Sequence, residues 1–91
     1  MTMTLFDEFI HDGGLSTCQD ILDAIQSRRP ERVISELNSN CFDVTIHYEN
    51  RFALLEDVLD ISPGRQQRFP LDEFIVLITR AAAGLKARER R

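Results

Sequence analysis

The sequence has little of what small secreted proteins and membrane proteins are built from. Of its 91 residues only two are cysteine and none is tryptophan, and two cysteines do not make the disulfide framework that stabilises small secreted domains. The longest apolar run is five residues, 74–78, which is too short to span a bilayer. The N-terminus has no basic region and reaches Asp7 and Glu8 early, unlike a secretory signal. We therefore expect a cytoplasmic protein without a membrane segment.

Motifs that fix a chemistry are also missing. The glycines occur as one pair and two single residues, so they do not form a phosphate-binding loop. The side chains that suit zinc lie 7, 23 and 6 residues apart, with no C-x-x-C or H-x-x-x-H pair to arrange ligands. They are His11, Cys18, Cys41 and His47. We expect no metal and no cofactor.

One stretch brings a thiol, a carboxylate and an imidazole to the same side of the chain. If residues 41–48 form a strand, Cys41, Asp43 and His47 share a face, because alternate side chains of a strand point the same way. Neighbours two apart on a strand are roughly 6–7 Å apart, too far for a direct hydrogen bond between nucleophile and base. No Gly-rich elbow accompanies them. The sequence therefore predicts a protein that is not an enzyme and has no catalytic residues.

What the sequence does contain suits one domain. Hydrophobic residues make up 43% of the chain, six of them phenylalanine, and charged residues make up 29%. A chain of this size buries roughly 60–65% of the surface that its unfolded form exposes, enough for one core. We predict a single domain over residues 1–91, in which residues 80–91 form the basic end of a C-terminal helix or a tail.

Two helices are predicted near the N-terminus. Thr4 can cap the first, with Asp7 three residues on, and the glycine pair at 13–14 ends it. The second begins at Ser16, in a sequence S-x-x-Q typical of a capping box. Its apolar residues follow at i, i+3, i+4 and i+7 up to residue 25, so both helices present an apolar face to a core.

A third helix is predicted from Pro30, which suits the first helical position. The apolar residues of its core face are Val33, Ile34 and Leu37. With the second helix it superficially resembles a helix-turn-helix, but it carries Glu31 and Glu36, which suit phosphates poorly. The isoelectric point near 5.0 argues further against nucleic acid as the partner.

The hydrophobic period changes to two between residues 42 and 48. Apolar residues alternate there with polar ones, which is typical of a half-buried strand. The apolar positions are Phe42, Val44, Ile46 and Tyr48. Glu49-Asn50 can make a tight turn after this strand, because Asn tolerates positive φ.

The stretch 51–60 fits two interpretations. As a strand that pairs with the one before it, it puts Phe52 and Leu54 on the apolar face; as a helix it forms a face from Leu54, Leu55, Val58 and Leu59. We favour a strand at its beginning, because a lone strand has no partner. Residues 65–69 can supply a third strand, and Pro70 opens a last helix. The order predicts an α+β fold with N-terminal helices, a short antiparallel β-meander or hairpin and a C-terminal helix.

The charges are unevenly distributed along the chain. Residues 1–79 contain 14 acidic and 6 basic side chains, a net charge of −8, whereas residues 80–91 contain 1 and 5, a net charge of +4. Between residues 43 and 60 five acidic side chains accompany only Arg51. Such an acidic surface can steer and hold a basic partner, although acidic side chains also keep a protein soluble.

A small acidic α+β domain of this kind resembles the immunity proteins that neutralise bacterial nuclease toxins, including those of contact-dependent growth inhibition systems. The resemblance rests on size, charge and the strand-then-helix run over residues 44–78. It implies a complex in which the protein masks the active or binding surface of a basic toxin domain. The predicted contact residues are Asp43, His47, Tyr48, Glu49, Glu56, Asp57 and Asp60, with Tyr48 as the anchor. Two other functions stay open, a small DNA-binding or regulatory adaptor and a self-associating structural subunit, and so does the oligomeric state.

Overall fold

Two helices flank four strands along the chain. A computed structural model describes residues 4–60 and 62–89, and over these residues the fold is α+β, as predicted. In chain order the elements are helix α1 (Leu5–Gln26), strands β1 (Ile34–Asn38), β2 (Phe42–His47) and β3 (Phe52–Asp57), a 3₁₀ turn (Pro63–Arg65), strand β4 (Gln66–Pro70) and helix α2 (Leu71–Glu89). Arg90 and Arg91, at the predicted basic C-terminal end, lie outside the described residues.

The two predicted N-terminal helices form one long element, α1, which is interrupted at a glycine. Thr4 caps α1 as predicted: its hydroxyl accepts a hydrogen bond from the Asp7 N–H at 3.1 Å, and the Asp7 carboxylate accepts one from the Thr4 N–H at 3.3 Å. Gly14 has φ 66° and ψ −161°, a conformation that a residue with a Cβ rarely adopts. The predicted end of the first helix is therefore a kink inside α1.

The prediction of a third helix is wrong. Residues 34–38 form strand β1, which pairs antiparallel with β2. The β-branched pair Val33 and Ile34 favours a strand, and the pairing is extended where the Tyr48 N–H donates to the Val33 carbonyl at 3.0 Å. The hydroxyls of Ser35 and Tyr48 share a buried hydrogen bond of 2.7 Å. Pairing with β2 thus outweighs the local helix signal of the preceding proline.

The four strands form an antiparallel meander in the order β1-β2-β3-β4. The first half of stretch 51–60, which fitted a strand or a helix, is strand β3. Between β2 and β3 the chain turns over residues 48–51, and the positive φ of 58° falls on Arg51 instead of Asn50. The Arg51 carbonyl accepts a hydrogen bond from the Leu71 N–H at 2.9 Å, which fixes this turn against the start of α2.

The register of β3 differs from the predicted one. Phe52 and Leu54 pair with odd-numbered residues of β2, so the prediction that they continue the apolar face of β2 is wrong. Ala53 and Leu55 take that place, and both are fully buried. Because successive side chains of a strand alternate between faces, the length of the turn before β3 decides which residues point into the core. With four residues in the turn, they are Ala53 and Leu55.

Both helices pack on the same face of the sheet and leave the other face uncovered. The largest fully buried side chains come from both helices and from β2 and β3: Phe9, Phe74, Ile21, Ile46, Leu55, Ile78, Val44 and Cys18. The molecule is therefore a two-layer structure, with Cα extents of 40 × 34 × 21 Å. Helix α2 begins at Leu71, directly after Pro70 ends β4. Within the described residues no helix combines the length and apolar character needed to cross a membrane.

Candidate functional site

The uncovered side of the sheet, which we call the open face, holds three of the predicted contact residues. It consists of the outward side chains of β1 to β4, arranged in three rows across the strands. The first row is Ile34, His47, Phe52 and Pro70; the second is Glu36, Thr45, Leu54 and Arg68; the third is Asn38, Asp43, Glu56 and Gln66. None of these twelve side chains is buried, in contrast to the other side of the same strands.

Phe52 is at the centre of the aromatic end of the open face. The His47 ring stacks on it with 4.2 Å between centroids and 17° between planes. From the other neighbouring strand, the Arg68 guanidinium carbon lies 3.6 Å from the Phe52 centroid. A cation over an exposed ring contributes about 0.5–1 kcal/mol, so the three side chains hold one another in place. This end of the open face is therefore a stack of two rings with a guanidinium over Phe52.

A pair of carboxylates is at the other end of the open face. Asp43 and Glu56 lie directly opposite each other on β2 and β3, where like charges destabilise strand pairing. No ion pair among residues 4–60 and 62–89 includes either carboxylate. With its amide nitrogen turned toward Asp43, Asn38 donates to Oδ1 at 2.7 Å. Both acids are half-buried, so the sheet itself holds two negative charges together.

Glu49 and Asp60 lie outside the open face. Glu49 is exposed in the turn over residues 48–51, next to the aromatic end. Asp60 is exposed in the loop after β3, where hydrogen bonding with Ser62, including its N–H at 3.0 Å, holds the pKa of this carboxyl below its usual value. These two predicted contact residues are accessible, but neither belongs to the paired strands that form the open face.

Asp57 belongs to an internal ion-pair network. The Arg65 guanidinium donates to Asp57 Oδ2 at 2.6 Å and to Glu8 Oε2 at 2.9 Å. These hydrogen bonds from Arg65 hold the pKa of both carboxyls below their usual values. The Asp57 side chain is only 9% exposed, and it pairs across the sheet with Phe42, on the core side. Arg65 therefore joins Asp57, at the end of β3, to Glu8 on α1, and Asp57 is not an open-face residue.

Tyr48, the predicted anchor for a partner, is buried. Its ring is 6% exposed, and its hydroxyl bonds to the Ser35 hydroxyl at 2.7 Å and to the Ala24 carbonyl at 3.4 Å. The Arg28 guanidinium carbon lies 4.4 Å from the ring centroid. Tyr48 thus holds the C-terminal part of α1 against β1, and it is buried as its place in the apolar alternation predicts. Its ring is not accessible to a partner, so it cannot act as the anchor.

The thiol and imidazole of the catalytic hypothesis lie far apart. Cys41 precedes β2 and His47 ends it, a separation of about 20 Å along an extended chain. Burial and the Asp12 carboxylate, which accepts from the Cys41 N–H at 3.1 Å, raise the pKa of the Cys41 thiol. Burial also raises the pKa of Cys18, and a raised pKa disfavours the reactive thiolate. Across the described part of the chain no three metal-ligating side chains converge.

Nine of the twelve open-face residues were not predicted as contacts, among them Ile34, Phe52, Leu54 and Arg68. For Phe52 and Leu54 the signal is the period of two, which continues from β2 into β3 once the turn is known to span residues 48–51. No model of a protein family, no curated protein and no solved structure matches the chain significantly.

Proposed function

We propose that this chain is a protein-binding module, an acidic inhibitor that neutralises a basic, nuclease-like toxin domain by covering its active or binding surface. The open face is the contact surface of this proposal. The observation that carries it is the carboxylate pair Asp43 and Glu56, held together on the open face without a cation among the described residues.

The carboxylate pair gives the partner's chemistry. A Lys or Arg side chain placed between Asp43 and Glu56 offsets their like charges and can donate a hydrogen bond to each carboxylate. Because like charges directly opposite each other on paired strands are unfavourable, a cation between them adds to the free energy of binding. A negatively charged surface also speeds the approach of a basic domain and repels nucleic acid.

The aromatic end of the open face supplies the apolar part of the interface. Phe52 is already fixed between His47 and Arg68, so little side-chain entropy is lost when it is covered. Asp43 and His47 are four residues apart on β2, which corresponds to about 13 Å. The partner should therefore present a basic side chain and an apolar side chain at about this distance.

The proposal predicts that a neighbouring gene encodes a basic toxin domain, and the test titrates that domain, once purified, with this chain by calorimetry. The variant Asp43→Asn/Glu56→Gln keeps the shape of the pair and removes its charge. We expect its affinity to fall by at least about 10-fold for each carboxylate, because a hydrogen bond to a charged group contributes roughly 1.5–3 kcal/mol. The matched control is Asp20→Asn/Asp23→Asn, which removes the same charge from exposed positions of α1.

Two results would overturn the proposal. One is the absence of binding by the wild-type chain, and the other is an equal loss for both double variants, which would reduce the effect to net charge. Sedimentation of the free chain tests self-association. If the free chain is a dimer and the open-face substitutions dissociate it, the open face is a self-association surface.

A further inference from the structure

A groove between the two helices is separate from the open face. It runs between the first half of α1 and the second half of α2 and has a volume of about 410 Å³. Its floor is apolar and half-buried, formed by Phe6, Ile10, Ala81 and Leu85, and its rim carries the exposed Arg80 and Arg88. We call these six residues the helix groove.

The floor of the helix groove is fixed by the core beneath it. The Phe6 ring meets the rings of Phe69 and Phe74 edge-on, with centroids 5.8 and 6.3 Å apart. Both of those rings are buried. The helix groove is therefore present before any ligand binds, and filling it covers apolar surface that the fold leaves accessible.

The dipole of helix α2 accounts for only one of the two arginines on the rim. Arg88 is in the last turn of α2, where the helix dipole favours a cation. Arg80 is near the middle of α2, where the dipole has little effect. Neither guanidinium takes part in an ion pair with the side chains described for residues 4–60 and 62–88. Both are exposed at the rim, where they can meet an anion above the apolar floor.

The opposite wall offsets only part of this charge. Of the described residues that line the groove, Asp7 is the only acid, and its carboxylate already accepts the hydrogen bond from the Thr4 N–H that closes the capping box. His11, also on this wall, has an imidazole N–H that can donate to an anion. The groove thus joins an apolar floor to a basic rim, in a body whose net charge over residues 1–79 is −8.

We propose that the helix groove binds an acidic amphipathic segment of a protein, whose apolar side chains enter the floor and whose carboxylates meet Arg80 and Arg88. The two arginines are eight residues apart, about 12 Å along the helix, so the segment carries its acids about two helical turns apart. Nucleic acid and anionic membranes fit less well, because the acidic body repels an extended polyanion and the groove accepts single side chains. This site takes a partner of opposite charge to that of the open face.

The test is a selection of random 12-residue peptides displayed on phage against the wild-type chain, with counter-selection on Arg80→Glu/Arg88→Glu. We expect the selected peptides to be enriched in Asp and Glu together with Leu, Ile or Phe. One synthesised peptide should bind in fluorescence anisotropy and lose at least about 10-fold in affinity on the double variant, where attraction becomes repulsion. Raising the salt concentration should weaken the wild-type complex.

The matched control is Arg29→Glu/Arg32→Glu, which makes the same change in net charge at exposed positions between α1 and β1. Its affinity for the peptide should equal that of the wild type. Selected peptides without acidic excess, peptides that bind the Arg80→Glu/Arg88→Glu variant equally well, or a selection that enriches nothing each overturn the proposal. None of these outcomes bears on the open face, whose test uses a basic domain and other residues.

Discussion

The two faces of the four-stranded sheet use the same strands for different purposes. On β3, Leu55 is fully buried under the helices, while Leu54 beside it is half exposed on the open face. Asp57 is on the core side with a guanidinium partner, whereas Asp43 and Glu56 face each other on the open face. The covered face pairs its carboxylate with a cation and buries its apolar side chains. The open face leaves its carboxylate pair without a cation among the described residues and its apolar side chains partly exposed. The fold therefore depends on one face and leaves the other available for binding.

The largest expected effect is a difference in the free energy of unfolding between alanine variants of two adjacent leucines. Leu55→Ala creates a cavity in the core, and we expect it to lower the free energy of unfolding by about 2–5 kcal/mol. Leu54→Ala should cost less than ~1 kcal/mol, since an exposed side chain leaves no cavity, yet it should weaken binding of the basic domain. Urea denaturation of both variants checks this. Equal losses of stability would mean that the open face is part of the core.

An intermediate effect should come from the ion-pair network. Arg65→Met leaves Glu8 and Asp57 without their cation, and we expect a loss of stability at neutral pH. Since Arg65 lowers the folded-state pKa of both carboxyls, its contribution is complete above their ordinary pKa near ~4 and is lost as the pH falls through the lowered values. The difference between wild type and variant should therefore shrink in acid, as denaturation at pH 7 and pH 3 would show. A constant difference would contradict this origin.

The smallest effect should have opposite signs on the two faces. Asp43→Asn removes one of two facing carboxylates and should raise the free energy of unfolding by about 0.2–1 kcal/mol. Asp57→Asn removes a carboxylate that pairs with Arg65 and should lower it. Thermal unfolding of the two variants, with Asp20→Asn as the exposed control, measures both. If Asp43→Asn destabilises the chain, the carboxylate pair does not store repulsion.

The sequence predicts those parts of the fold in which local pattern and tertiary packing agree. The cap at Thr4, the alternation over residues 42–48 and the last helix belong to this group. Strand β1 does not, because a proline and apolar spacing favour a helix locally, and only the free edge of β2 makes a strand of residues 34–38. Strands β1 and β2 are neighbours in sequence, joined by residues 39–41, but the preference of a segment for a strand depends on its cross-strand neighbours more than on its own residues.

The candidate site follows the same rule. Asp43 and His47 lie on the open face as the alternation of β2 predicts, because a period of two needs only the strand itself, whereas Glu56 lies there through the register of β3 that differs from the predicted one. Phe52 was placed on the wrong side, since its orientation depends on the length of one turn. Tyr48 and Asp57 were predicted as contacts from their chemistry, but Tyr48 bonds to Ser35 on β1 and Asp57 bonds to Arg65 in the 3₁₀ turn. Charge composition does not reveal such partners.

The two-layer architecture links the binding of a partner at the open face to the melting temperature of the chain. A sheet covered on one side, in a molecule 21 Å thick along its shortest axis, gains a third layer when a protein docks on the open face. Because a ligand that binds only the folded state adds RT ln(1 + [L]/Kd) to its stability, the melting temperature should rise with the concentration of the true partner. A thermal unfolding scan can therefore rank candidate partners by the rise in melting temperature that each causes, without an activity assay.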